Sequence, residues 1–108
     1  MKQFEFTTAS GSYALSVAIQ PNREALWCAA FAVDSLDGLF DMTPVEQAKP
    51  VLDAAIARFN ESPEELRPFL AADDPIGLRG NRGILRDLRK KMVTLGGTLS
   101  GAVEEEPA

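Results

Sequence analysis

Residues 4–19 read FEFTTASGSYALSVAI, and this stretch decides the fold. Large side chains alternate with small or polar ones on both sides of a Gly/Ser-rich turn at 9–12, which is the period of a β-strand. The stretch therefore predicts a β-hairpin with its large side chains on one face. That face consists of Phe4, Phe6, Tyr13, Leu15, Val17 and Ile19.

The segment that follows, residues 25–33, is apolar on every side. It fits either a strand buried on both faces or a core helix, because periodicity does not separate the two. We favour a strand, since the segment is short and follows a hairpin. Asp37-Gly38 then marks a turn, and residues 39–42 are long enough to return as a fourth strand.

From Thr43 onward the hydrophobic period becomes helical. Thr43-Pro44-Val45-Glu46 matches a capping box, and the helix it opens should kink or restart at Pro50. A short second helix is expected after Ser62-Pro63. A third is expected to begin near Asn81 or Arg82 and to stop at Gly96-Gly97. Its apolar side comprises Ile84, Leu85, Leu88, Met92 and Leu95.

Together these patterns predict an α+β fold. A small antiparallel sheet of three or four strands is followed by two or three helices packed on one face. Apolar residues make up 45% of the chain and charged residues 25%, which is typical of a globular protein with one core. We expect a single domain over residues 1–97 and a flexible acidic tail over 98–108, because Glu104-Glu105-Glu106 lies near the end.

Several classes of function are disfavoured by composition. The chain has no histidine and one cysteine, Cys28, which removes Ser-His-Asp and Cys-His catalysis and nearly all zinc sites. Cys28 has apolar neighbours, so we expect a buried, unreactive thiol. No catalytic, cofactor-binding or metal-binding residues are predicted, and no signal peptide or membrane segment is recognised. We expect a cytoplasmic protein without a cofactor.

The net charge of −5 conceals an uneven distribution. Residues 76–95 hold six cations and one acid, a local charge of +5, so the rest of the chain carries −10. One interpretation is internal pairing with acids such as Asp53, Glu61, Glu64 and Glu65, where exposed pairs contribute only about 0–1 kcal/mol each. The other is a binding surface of one sign. The candidate surface comprises Arg79, Arg82, Arg86, Arg89 and Lys90.

Three glycines at spacing three precede the basic helix, and we take Gly77, Gly80 and Gly83 as a candidate anion-binding loop. The structural alternative is a flexible connection between helices. Gly77-Leu78-Arg79-Gly80 resembles the Gly-x-x-Gly loop of KH domains, which would imply binding to RNA or single-stranded DNA. The apolar positions after the loop are shifted by one residue, at Ile84 and Leu85, and we do not assign the family.

The leading hypothesis is a small non-enzymatic protein-interaction module of the inhibitor, antitoxin, immunity-protein or phage-encoded antagonist type. It would bind a protein partner through charge complementarity. The alternative is anion or nucleic-acid binding through residues 76–91. An enzyme that uses only carboxylates and arginine stays open, as does a homodimer formed through the apolar segment 25–33.

Overall fold

The computed structural model describes residues 2–11 and 14–104. Tyr13, which we predicted on the apolar face of the hairpin, lies outside the described residues. The strands are β1 Lys2–Thr8, β2 Ala14–Ile19, β3 Phe40–Pro44 and β4 Gly97–Glu104. The α-helices are α1 Glu24–Phe31, α2 Val45–Glu61, α3 Pro63–Leu66 and α4 Gly77–Leu95, with single 3-10 turns at Pro21–Arg23 and Arg67–Phe69.

The four strands form one antiparallel sheet in the order β2-β1-β4-β3. This confirms the predicted α+β class, the hairpin and the short strand near residue 40. The hairpin register runs without interruption from Lys2 opposite Ile19 to Thr7 opposite Ala14. Phe4 is therefore opposite Val17 and Phe6 is opposite Leu15 on the face that the helices cover.

An aromatic cluster joins this face of the sheet to α1. The Phe4 ring stacks on Trp27 with centroids 5.9 Å apart and meets Phe31 and Phe40 edge-on at 6.1 and 5.5 Å. Phe4 and Trp27 are fully buried. Burying each such side chain contributes about 1.5–3 kcal/mol, so the cluster is a major part of the core.

The prediction of a strand over 25–33 is wrong, because residues 24–31 form helix α1. The fully or almost fully buried side chains on α1 are Leu26, Trp27, Ala30 and Phe31, which is helical spacing, whereas Ala25 is exposed. Residues 24–31 also contain no β-branched residue, and alanine and leucine favour a helix. The homodimer that we based on an apolar strand at 25–33 loses its structural basis.

The prediction of a tail from residue 98 is also wrong. Residues 97–104 form β4, which lies between β1 and β3 in the sheet and buries Leu99 and Ala102. The domain therefore extends beyond residue 97, and only residues 105–108 of the expected tail lie outside the described residues.

The helix boundaries differ from the prediction in three places. Helix α2 does not restart at Pro50: it runs from Val45 to Glu61, and the missing N–H of Pro50 removes a single intrahelical bond. The capping box is absent: Pro44 precedes α2 without a side-chain cap, and the Thr43 hydroxyl accepts a bond from the Asp41 N–H at 3.1 Å. Helix α4 begins at Gly77, four or five residues earlier than predicted.

Candidate functional site

Helix α4 lies on the core with one face and leaves the opposite face to solvent. Its buried residues are Asn81, Leu85, Leu88 and Met92. At about 100° per residue, Arg79, Arg86 and Lys90 lie within an arc of about 40° on the opposite side. All three are exposed, and they span about 16 Å along the helix axis. We call these three residues the cationic ridge.

Unlike most other cationic residues of the chain, the three residues of the cationic ridge have no side-chain partner within the part of the protein that the structure describes. Four cations form ion pairs with described acids: Lys2, Arg23, Arg67 and Arg89. Within the described ranges, the side chains of Arg79, Arg86 and Lys90 have neither an ion pair nor a hydrogen bond. Their charge is therefore available to a ligand without first breaking a contact.

The other two predicted surface residues turn toward helix α2. Arg89 forms an ion pair with Asp53, and the Arg82 Nη1 donates to Asn60 Oδ1 at 2.8 Å. Arg82 and Arg89 are half-buried by this packing. The five-residue candidate surface thus divides into a three-residue ridge and a pair of arginines that join α4 to α2.

The candidate glycine loop is not a loop. Gly77, Gly80 and Gly83 all belong to α4, so the expected loop and the flexible connection are both corrected to helix. Gly83 lies on the ridge side of α4 between Arg79 and Arg86, and no atom lies within 4 Å of the position a Cβ would take. Its lack of a side chain leaves the helix backbone accessible between two arginines.

A shallow cleft of about 430 Å³ adjoins one end of the ridge. The Arg82 side chain lines this cleft, and its buried Nε has no hydrogen-bond partner among the described residues. Arg67 is exposed and bonds Glu64 through two nitrogens at 2.9 and 3.1 Å, which lowers the pKa of that carboxyl. We call this the arginine cleft; it is lined by Phe59, Asn60, Pro63, Arg67, Leu78, Arg79 and Arg82.

Sequence reasoning missed a buried polar network between α1 and the start of α4. The Trp27 Nε1 donates to Asn81 Oδ1 at 2.8 Å, and the Asn81 amide donates to Asp74 Oδ2 at 3.1 Å and to the Gly77 carbonyl at 2.7 Å. Arg23 and the Ile76 N–H also donate to Asp74, each at 3.1 Å. The signal in the sequence was Asn81, an amide on the apolar face of α4.

The Asp74 carboxylate in this network is almost fully buried. Burial alone would raise its pKa, but the hydrogen bonds from Arg23, Asn81 and Ile76 outweigh burial and hold the pKa below its usual range. Every donor and acceptor named in the network has a partner, so we interpret it as a structural connection between α1 and α4.

Cys28 lies on the outer side of α1 and is half-buried rather than fully buried as expected. It lines a shallow apolar groove of about 420 Å³ together with Ala25, Ala29 and the half-exposed Phe69. Burial raises the pKa of the Cys28 thiol, so at neutral pH it stays protonated and is a weak nucleophile.

The part of the chain that the structure describes contains no group of three or more acidic or cysteine side chains arranged to hold a metal ion. No helix in that part has the length and apolar character to cross a membrane. Comparisons with family models, with curated proteins and with solved structures each give no significant match to this chain.

Proposed function

We propose that this protein is a cytoplasmic, non-enzymatic interaction module that binds an acidic patch on a protein partner through the cationic ridge. The observation that supports this most directly is that Arg79, Arg86 and Lys90 are aligned, exposed and unpaired among the described residues. Such a module would act as an inhibitor, antitoxin or antagonist does, by occupying a surface of its partner.

The charge of the whole molecule favours a local protein patch over a long polyanion. A net charge of −5 disfavours the approach of a long polyanion that spans more of the surface than the ridge, whereas an acidic patch about 16 Å long can contact the ridge alone. Ridge cations that face a partner's acids would speed association and fix the orientation of the complex.

The test is affinity capture from the native host with three versions of the protein. The ridge variant is Arg86→Glu with Lys90→Glu, and the control variant is Lys49→Glu with Lys91→Glu. Both variants change the net charge by the same amount. Lys49 and Lys91 lie off the ridge and, like the ridge residues, have no ion pair within the described ranges. Each variant is first checked for an unchanged circular dichroism spectrum.

We expect a protein that is captured by the wild type and by the control variant but lost with the ridge variant. With the purified partner, the ridge variant should bind at least about tenfold more weakly, mainly through slower association at low salt. A partner that binds all three versions equally would contradict the ridge as the binding surface. Failure of the wild type to capture any protein would contradict the proposed function itself.

A second candidate function is binding of an anion or nucleic acid in the arginine cleft. The observation in its favour is the buried Arg82 Nε, a donor without a described partner beside the unpaired Arg79. The lining residues Phe59, Pro63 and Leu78 add an apolar wall, so a carboxylate or phosphate with an apolar portion would fit best.

This alternative is tested by titrating inorganic phosphate, nucleotides, and RNA and DNA oligonucleotides at low salt. Binding that is lost in Arg82→Met but kept in Lys90→Glu would favour the cleft over the ridge. Binding of an oligonucleotide should also weaken steeply with added salt, because counterions are released from the phosphates. No binding of any of these anions at low salt would remove this candidate.

A further inference from the structure

The two edges of the sheet are unequally protected. An exposed strand edge can pair with another chain unless charge, proline, a bulge or short length prevents it. Edge strand β3 has several of these features: it is five residues long, contains Asp41 and Pro44, and has Met42 at φ +44°. Its register with β4 also shifts between Phe40 and Thr43. Edge strand β3 is therefore a poor template for pairing.

Edge strand β2, at six residues, lacks the charge, the proline and the register shift of β3. Its sequence, ALSVAI, contains no charged residue and no proline, and it pairs with β1 in one unbroken register. Within the described ranges, no hydrogen bond joins β2 to any element other than β1. The outer N–H and C=O groups of this strand are available to a new strand.

The apolar layer of the protein continues to this edge. Ile19 is fully buried, but Leu15 and Val17 pack against the core and remain half-exposed on the face that the helices cover. Ser16 and Ala18 are exposed on the opposite face. A strand added here would cover Leu15 and Val17 if it presented apolar residues on the same face.

We propose that β2 pairs with β2 of a second copy of this chain, antiparallel, about a twofold axis at Val17. Val17 lies opposite Val17 of the other copy, and Leu15 of each copy lies opposite Ile19 of the other. An axis placed between two residues of β2 would shift the register by one residue. Each apolar residue would then lie opposite a polar or small residue whose side chain belongs on the other face of the sheet. Centring the axis on Ser16 would put Leu15 opposite Val17 and leave Ile19 without a partner inside β2, so only the Val17 register pairs all three apolar residues within the strand.

This pairing leaves the sheet without an unprotected edge. The two four-stranded sheets become one of eight strands, and both of its remaining edges are the protected β3 strands. A twofold interface of this kind is complete with two copies and does not propagate into a fibre. No charged residue lies within residues 14–19, so no like charges of the strand are placed opposite each other. The surface is separate from the cationic ridge, and the inference does not depend on the proposed function.

The first test is the mass of the full chain in solution by light scattering and sedimentation across a concentration series. We expect a dimer of twice 11.7 kDa. In Val17→Lys, two ammonium groups would face each other across the axis, and the dimer should weaken tenfold or more. Met42→Lys makes the same charge change on the β3 edge, where the side chain is 69% exposed, and should leave the dimer intact.

The second test does not depend on how well Val17→Lys folds. In a Cys28→Ala background, Val17→Cys should form a disulfide-linked dimer on mild oxidation, because residues directly opposite in an antiparallel pair have Cα atoms close enough for a disulfide. Met42→Cys in the same background should remain a monomer on a denaturing gel. A wild-type chain of 11.7 kDa at every concentration would overturn the proposal, as would a dimer that Val17→Cys fails to link.

Discussion

Ala32 has a backbone conformation that usually favours glycine. It ends helix α1 at φ 58° and ψ 46°, where its N–H bonds the Ala29 carbonyl and the Val33 N–H bonds the Cys28 carbonyl. A non-glycine residue in this left-handed region costs about 1–2 kcal/mol. Because the usual glycine is absent, the sequence contains no visible end signal for α1, and this contributed to the wrong prediction over 25–33.

Replacement of this residue by glycine should stabilise the protein. We expect Ala32→Gly to raise the free energy of unfolding by about 0.5–1 kcal/mol, the gain in the native backbone being partly offset by greater entropy of the unfolded chain. Ala32 is exposed, so no core contact is lost. Urea denaturation followed by circular dichroism measures the change.

The matched control is Ala54→Gly, at an exposed position inside α2. There the same change should lower the free energy of unfolding by about 1 kcal/mol, because glycine is a poor residue in a helix interior. A loss of stability in Ala32→Gly would contradict our description of the end of α1.

At the scale of elements, success in prediction followed the strength of the local pattern. The hairpin was predicted because its apolar residues alternate, and most of α4 because Leu85, Leu88 and Met92 recur at helical spacing. Strand β4 was missed because its sequence, GTLSGAVE, contains two glycines and follows another. The structure shows why Gly97 is present: at φ +140°, an added Cβ would collide with the Thr7 carbonyl oxygen of β1.

The candidate site was predicted only in part, because a local pattern shows which residues are charged but not how they pack. Charge alone pointed to the basic residues of α4, but it could not separate the exposed Arg86 from Arg89, which pairs with Asp53. That division depends on how α4 packs against α2, a contact between segments far apart in the chain. The bond from Trp27 to Asn81 also joins residues 54 positions apart, beyond the reach of any local pattern.

The stabilisation that the buried network between α1 and α4 provides should depend on pH, because the network contains the Asp74 carboxylate. Its pKa is lowered in the folded protein, so the unfolded chain, with a pKa near the usual ~3.9, binds its proton first as the pH falls. The stabilisation from Asp74 is therefore complete above pH ~4–5 and is lost as the pH falls through the folded-state pKa. We expect Asp74→Asn to cost about 1–3 kcal/mol at pH 7 and progressively less below pH 4.

Asp73→Asn provides the control for this prediction. Asp73 is exposed, and its one hydrogen bond within the described ranges, from the Asn22 amide, is long at 3.4 Å. Its substitution should change the free energy of unfolding by less than about 0.5 kcal/mol at either pH. Equal losses in the two variants at pH 7, or a loss in Asp74→Asn that does not shrink in acid, would contradict the assigned role of Asp74.

At the scale of the whole molecule, β4 holds the sheet together. It pairs with β1 on one side and β3 on the other, and its Leu99 is fully buried. Without it, the sheet would be reduced to the β1–β2 hairpin and an isolated β3, and a lone hairpin is at best marginally stable. The domain limit at residue 97 that the sequence suggested would therefore divide the sheet.

Two truncations test the importance of β4. A chain ending after Gly96 should lose cooperative thermal unfolding, because one edge of β1 loses its pairing and the core loses Leu99 and Ala102. A chain ending after Glu104 keeps every described strand and should unfold as the full chain does. Cooperative unfolding of the shorter chain at a similar temperature would show that the central strand is dispensable.

The position of β4 also bears on how the protein is made. Its paired residues in β1 lie 89 to 102 positions earlier, so the middle of the sheet is the pairing with the greatest sequence separation. Such long-range closure is slow compared with local helix formation. During translation, the edge of β1 that pairs with β4 must therefore stay unpaired until residue 104 has left the ribosome. Over that interval the nascent chain depends on chaperones to keep this open edge of β1 from pairing with other chains.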